Sequence, residues 1–257
     1  MLPNPLKTRL AKGESAFGTM GFEFLTPAYP AICKAAGADF ILYDMEHSGA
    51  SFETIKAQVL LCRGLDLVPL VRVPGPDYHF IARALDVGAM GIMVPMVESA
   101  EVARHIVSCT RYPPAGRRGS AFNVTPHDDY SSMPVAEKQR RANERTLVIC
   151  MAETPKGIEN VDAIAGTDGV DIVWLGHFDL TSFLGIPAQF GDPRFTSAVA
   201  AIAAACNKHG KTAAYLAADE TSARDFYDKG FRCIAYSTDV ILLQSALAGG
   251  LAALRKF

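Results

Sequence analysis

Asp39-Phe40-Ile41-Leu42-Tyr43-Asp44-Met45-Glu46-His47 is the stretch on which the fold of this chain turns. Its apolar run does not alternate with polar residues, which fits a strand covered on both faces, as in a parallel sheet. It then closes on Asp44, Glu46 and His47. Charged groups at the carboxyl ends of buried parallel strands are where an α/β barrel keeps its chemistry. Two more acids read the same way. Glu153 closes the run Leu147 to Ala152, and Asp179 ends a predicted strand from Ile172.

Working outward, similar runs begin near Ala16, Asp66, Gly91, Leu147, Ile172, Thr212 and Cys233, which makes eight in all. Helical patterns lie between them. Ser51 opens one that closes on Gly64, and Asp77 opens one that closes on Gly88. Thr154-Pro155 and Asp219 open others. Proline at the first helical position costs nothing, because the N–H it lacks has no partner there. Strand and helix repeated eight times predict a single TIM-type (β/α)8 barrel over residues 1–257. An open doubly wound sheet is the alternative. No G-x-G-x-x-G follows the first strand, which weakens a dinucleotide-binding version. Residues 98–146 break the rhythm as a long insertion between strands four and five, expected to emerge on the catalytic face.

The chain has 257 residues, 49% hydrophobic and 20% charged, with net charge -2. Such balance offers no electrostatic case for nucleic acid or an anionic membrane. Six cysteines are scattered without a C-x-x-C pair, so a disulfide framework is not expected and a reducing cytoplasm is the natural setting. The start of the chain has no signal-peptide core, and no run reaches the ~18 apolar residues of a membrane span.

Glu153 and Asp179, at equivalent ends of adjacent strands, are candidate ligands for one hard divalent cation completed by waters and a bidentate substrate. The structural alternative is that each caps a following helix, although Thr154 is the better cap beside Glu153. Arg72, inside Val-Pro-Leu-Val-Arg-Val-Pro, needs a partner. That partner is either a substrate oxygen or a structural acid, Asp44 or Glu46. Side chains alternate along a strand, so Glu46 and His47 share a face only through a bend; His47 is placed in the site, with Glu46 in support. Asp86 is a candidate to orient the imidazole, against a surface role or a salt bridge to Arg83. No strand interior holds a lysine, so imine chemistry is disfavoured. There is no G-x-S-x-G or H-E-x-x-H.

These residues, with AGADFILYDMEHSGAS, LVRVPG, ALDVGAMGIMVPMVESAEVA, TRYPPAGRRGSA and LGHFDLTSFLG, resemble the HpcH/HpaI class II pyruvate aldolases. That family cleaves 4-hydroxy-2-oxo acids to pyruvate, or a related 2-oxo acid, and an aldehyde through a metal-stabilised enolate. The resemblance implies a homohexamer, a trimer of dimers with C-terminal helices exchanged between subunits. It implies Mg, Mn or Co on Glu153 and Asp179, and a His47–Asp86 acid–base dyad. Arg72, Ser120, Gly176, His177, Phe178 and Asp179 would bind substrate. Two departures stand out. Gly176-His177-Phe178-Asp179-Leu180 replaces the usual Gly-Pro-x-Asp-Leu, and Met20 stands where relatives often carry Trp. The rivals are an acyl-CoA lyase of the citrate or malyl-CoA type and a non-catalytic binder of 2-oxo acids.

Overall fold

In the computed structural model, which describes residues 1–257, the eight apolar runs form eight parallel strands. They are β1 (Ala16–Gly21), β2 (Phe40–Asp44), β3 (Val68–Arg72), β4 (Gly91–Val94), β5 (Leu147–Ala152), β6 (Ile172–Leu175), β7 (Thr212–Ala217) and β8 (Cys233–Thr238). They close in that order, with β8 returning to β1, so the sheet is a barrel and not an open doubly wound one. The helices are α1 (Pro5–Ala11), α2 (Tyr29–Ala35), α3 (Phe52–Cys62), α4 (Tyr78–Asp86), α5 (Ala100–Thr110) and α6 (Val135–Arg145). After β5 come α7 (Pro155–Glu159), α8 (Val161–Ala165), α9 (His177–Phe183), α10 (Pro193–His209), α11 (Glu220–Asp228) and α12 (Asp239–Leu254).

The predicted helix starts have local causes. Ser51 accepts a hydrogen bond from Thr54 N, Thr154 from Gly157 N, and Asp219 from Ser222 N within a capping box. Asp77 stands at the N-cap of α4 without a side-chain bond. One boundary differs from expectation. β6 stops at Leu175, and Asp179 lies in the first turn of α9 instead of at a strand end.

Strand alternation divides the core. Phe40 and Leu42 of β2 face the barrel interior with Leu70, Met93, Ile149 and Trp174. Ile41 and Tyr43 face outward into the layer beneath the helices. Continuing each inward row by one step reaches Asp44 after Leu42, Arg72 after Leu70, Glu153 after Met151 and Gly176 after Trp174. The polar groups therefore occupy the layer above the apolar plug, at the carboxyl ends of the strands.

The insertion lies at the opposite end. α5 is the ordinary helix after β4, so the extra chain begins at Arg111 and runs to α6. It is anchored at the amino ends of the strands. Asp129 pairs with Arg63, beyond α3, at 3.2 Å and with Arg145, before β5, at 3.1 Å. Arg118 meets Asp86 at the end of α4, 2.7 Å apart. Beneath them the fully buried Lys138 and Asp128 pair at 2.6 Å. The expectation that this segment emerges on the catalytic face is thus corrected. A segment that follows the returning helix, and not the strand, is left at the barrel's other mouth.

α12 differs from the other long helices. Ile241, Leu242, Leu243, Leu247, Leu251 and Leu254 are exposed, and only Asp239 is buried. All six cysteines are free and buried, and no helix is long and apolar enough to cross a membrane.

Candidate active site

At the carboxyl end of the barrel, a cavity of about 320 Å³ is lined by His47, Arg72, Gly176, His177, Phe178 and Asp179, among others. Six of the residues predicted to form the site are thus brought together. The register of β2 and β3 makes Asp44 and Arg72 direct neighbours. Arg72 Nε donates to Asp44 Oδ1 at 2.5 Å, and Nη1 lies 3.2 Å from Glu46 Oε2. Both structural acids therefore hold the guanidinium, as the structural reading of Arg72 expects, while it also lines the cavity. A planar fork can engage several acceptors at once.

Asp44, fully buried, also accepts the backbone N–H groups of Glu46 (3.3 Å) and His47 (2.8 Å). This turn supplies the bend that the alternation of a strand lacks. It directs Glu46 toward Arg72 and leaves the His47 side chain at the cavity, with Nε2 3.7 Å from Glu46 Oε2.

Glu153 is 3% exposed. Its Oε1 accepts the N–H of Met96 at 2.7 Å, and Met96 is held at φ 54, a left-handed conformation uncommon for a residue with a side chain. Burial pushes the Glu153 carboxyl up to about 7, reinforced by the negative charges of Asp179 and Glu46 and opposed by the Met96 N–H and Arg72. Glu46 is likewise raised, chiefly by burial. Facing Glu153 just past the ends of β5 and β6, one step beyond the Ala152–Leu175 pair, is Gly176. A Cβ there would sit 2.3 Å from Glu153 Oε2 and 2.5 Å from its Cβ. Gly176 is a glycine because the Glu153 carboxylate fills the place of its side chain. It also cannot cap α9, so the N–H groups of that helix's first turn have no side-chain acceptor and open beside Asp179.

The donor chemistry fits a hard divalent cation. The negative charges of Asp179 and Glu46 both act on the Glu153 carboxyl, and of the three acids only Glu46 is salt-bridged to Arg72. No group of three His, Cys, Asp or Glu side chains is disposed as a metal cage. A cation on Glu153 and Asp179 would therefore keep several water or substrate oxygens, as Mg²⁺ commonly does.

Two predicted residues lie elsewhere. Asp86 ends α4 and is bonded to Arg118 Nη2 at 2.7 Å, so within one chain it does not orient His47. A helix that follows a barrel strand runs back to the amino end and carries its last residue there. Ser120 is exposed in the insertion, where its Oγ accepts from Gln139 Nε2 at 3.2 Å. His177 is buried against Phe178, Tyr215 and Phe190, and burial pulls its imidazole down to about 4, so it is neutral near pH 7 and is no proton donor as an imidazolium. Sequence reasoning missed Asp44 as the organiser of the turn and Met96 as the donor to Glu153. It also missed Phe22, whose ring packs 5.8 Å from the Arg72 guanidinium. Phe22 is held by Asp239, which accepts the N–H groups of residues 22, 23 and 24.

Fold and site together define an enzyme of the (β/α)8 class with an acid-rich centre at the carboxyl ends of its strands. The chain belongs to the HpcH/HpaI aldolase/citrate lyase family, whose profile matches residues 24–246. It is 34% identical over 250 residues to a hydroxypyruvate/pyruvate aldolase of Roseobacter denitrificans, covering 94% of each chain. It is 32% identical to a 5-keto-4-deoxy-D-glucarate aldolase of Klebsiella pneumoniae, covering 96% of this chain and 94% of that one. The crystal structure of an HpcH/HpaI aldolase from Desulfitobacterium hafniense superposes with a TM-score of 0.93 at 30% identity, covering 98% of this chain and 97% of that chain. The chain is accordingly an aldolase, a carbon–carbon lyase.

Proposed function

We propose that this enzyme reversibly cleaves a 4-hydroxy-2-oxo acid to pyruvate, or a closely related 2-oxo acid, and an aldehyde, with Glu153 and Asp179 holding a divalent cation (Mg, Mn or Co). The observation that carries the reading is the buried Glu153 carboxylate, kept in place by a glycine and a strained backbone N–H beside a second acid. When bound, the cation would supply Lewis-acid stabilisation of negative charge on the substrate's ketone oxygen.

The chain's own residues do the rest. The free N–H groups at the start of α9 receive the substrate carboxylate. The Arg72 guanidinium, fixed by Asp44 and Glu46, presents positive charge where the enolate oxygen develops. His47 takes the proton from the C4 hydroxyl as the C3–C4 bond breaks. The electron pair of that bond passes into the enolate, and the C4 carbon leaves as the aldehyde. A proton then returns to C3. In reverse, C3 loses a proton, attacks the aldehyde carbon, and the resulting alkoxide is protonated.

An Asp86 contribution to His47 requires a second copy of the chain and belongs with assembly as a homohexamer. The uncovered apolar face of α12 supports exchange of that helix between copies. Six buried free thiols agree with a reducing cytoplasm.

A second reading follows from the citrate lyases in the family's description: action on an acyl-CoA ester. A cavity of about 320 Å³ is at the lower end of the roughly 300–1,000 Å³ of small-molecule pockets, which suits a compact substrate better. Deuterium exchange at the pyruvate methyl in D₂O decides between the readings. Exchange that requires a divalent cation and stops with chelator is expected of the aldolase. Its absence, together with turnover of an acyl-CoA, would transfer the assignment.

A further inference from the structure

Beside Asp179 the cavity is lined by Phe178, against which Phe190 packs from outside the lining. Phe178 is 59% exposed and Phe190 is 38% exposed, yet their rings pack edge to face with centroids 5.6 Å apart. Both rest on the buried His177 ring, at 4.4 and 5.5 Å. His177 is in turn backed by Tyr215, which stacks on Phe226. Two exposed rings are thus held firmly by a buried aromatic stack. Phe178 and Asp179 are consecutive in the first turn of α9, so the shelf begins beside the acid assigned to the cation.

The rest of the lining sharpens the point. Arg72 is the one cation among the cavity-lining residues, and two acids already occupy it. Apart from Arg72, the two histidines, Asp179 and Thr238, the side chains of the lining are apolar. Within one chain, a carboxylate on the far end of an aldehyde would meet no lysine and no unpaired arginine, and a row of hydroxyls would find few partners beyond the histidines, Asp179 and Thr238. A flat apolar ring would instead gain stacked or edge-on contact with Phe178 and Phe190.

From this juxtaposition we propose that the aldehyde partner is aromatic or otherwise apolar, read by the Phe178–Phe190 shelf on its His177 support. The proposal rests on the aldolase reading and specifies the aldehyde half of that substrate.

The test uses the full-length enzyme with added Mn²⁺ and pyruvate. First, deuterium exchange at the pyruvate methyl, without aldehyde, shows whether the enolate forms. Then kcat/KM for aldol addition is compared for benzaldehyde, glyceraldehyde and succinic semialdehyde. Benzaldehyde is expected to lead by at least about tenfold, the scale on which an apolar pocket discriminates. Phe178→Leu and Phe190→Leu should each cut the benzaldehyde-to-glyceraldehyde ratio by about three- to tenfold. If exchange runs but glyceraldehyde or the semialdehyde is preferred, the shelf proposal fails and the aldolase reading survives. If no exchange occurs with any divalent cation, both fail. Loss of assembly in Phe178→Leu with an unaltered ratio would assign the shelf to a neighbouring copy and overturn the proposal.

Discussion

Glu153→Gln separates the cost of burying a charge from the benefit of binding a cation. Burial carries the Glu153 carboxyl from an ordinary 4.5 to about 7. An acid raised in this way binds its proton more tightly in the folded than in the unfolded chain. Its contribution to stability is therefore fully present below about 4.5, is lost as pH rises toward about 7, and stays lost above that. The difference corresponds to roughly 3 kcal/mol. Glutamine has nearly the same shape, carries no charge, and keeps a carbonyl oxygen for the Met96 N–H. In chelator at pH 8, the variant should be more stable than the parent by about 2–3 kcal/mol. At roughly 2–4 °C per kcal/mol for a chain of this size, Tm should rise by about 4–12 °C. The gap should close toward pH 5. Mn²⁺ at about a thousand times its Kd should reverse the order at pH 8, because it stabilises the parent by about 4.1 kcal/mol and the variant loses a ligand. Calorimetry from pH 5 to 8, with and without Mn²⁺, reads all of this. A variant no more stable at pH 8, or a gap that ignores pH, would refute the reasoning.

Three further outcomes are expected. Gly176→Ala should cost about 1–3 kcal/mol by overpacking and should weaken Mn²⁺ binding, because the new methyl would displace Glu153; unfolding curves and a Mn²⁺ titration check both. His47→Ala should lower kcat by about 10²–10⁴-fold while Mn²⁺ affinity stays near that of the parent, as steady-state kinetics and titration will show. Lys138→Ala strands the buried Asp128 at the amino end of the barrel and should cost about 3–5 kcal/mol in denaturant unfolding, with kcat/KM of the folded fraction preserved.

The barrel was legible because its strands are almost wholly buried on both faces, with Phe17 and Tyr236 the exposed exceptions, which writes eight largely apolar runs into the chain. The layer of Asp44, Arg72 and Glu153 was legible too, since alternation carries each inward row one step past its last apolar residue. The start of α9 was hidden. Gly176 offers no cap, and His177 and Phe178 continue the apolar look of β6 into a helix. The position of Asp86 follows from topology more than from residue type. It precedes β4 and so belongs to the amino end, where Arg118 meets it. The insertion shares that logic. Met96 left no trace, since a left-handed φ at a methionine is imposed by the bond its N–H makes and not by its own preference.

The most direct test of the central claim is a Mn²⁺ titration, followed by electron paramagnetic resonance, of the parent, Glu153→Gln and Asp179→Asn proteins with pyruvate present. One tightly held ion per active site in the parent is expected, with marked weakening in both variants. Equal binding in all three proteins, or none in the parent, would contradict the account.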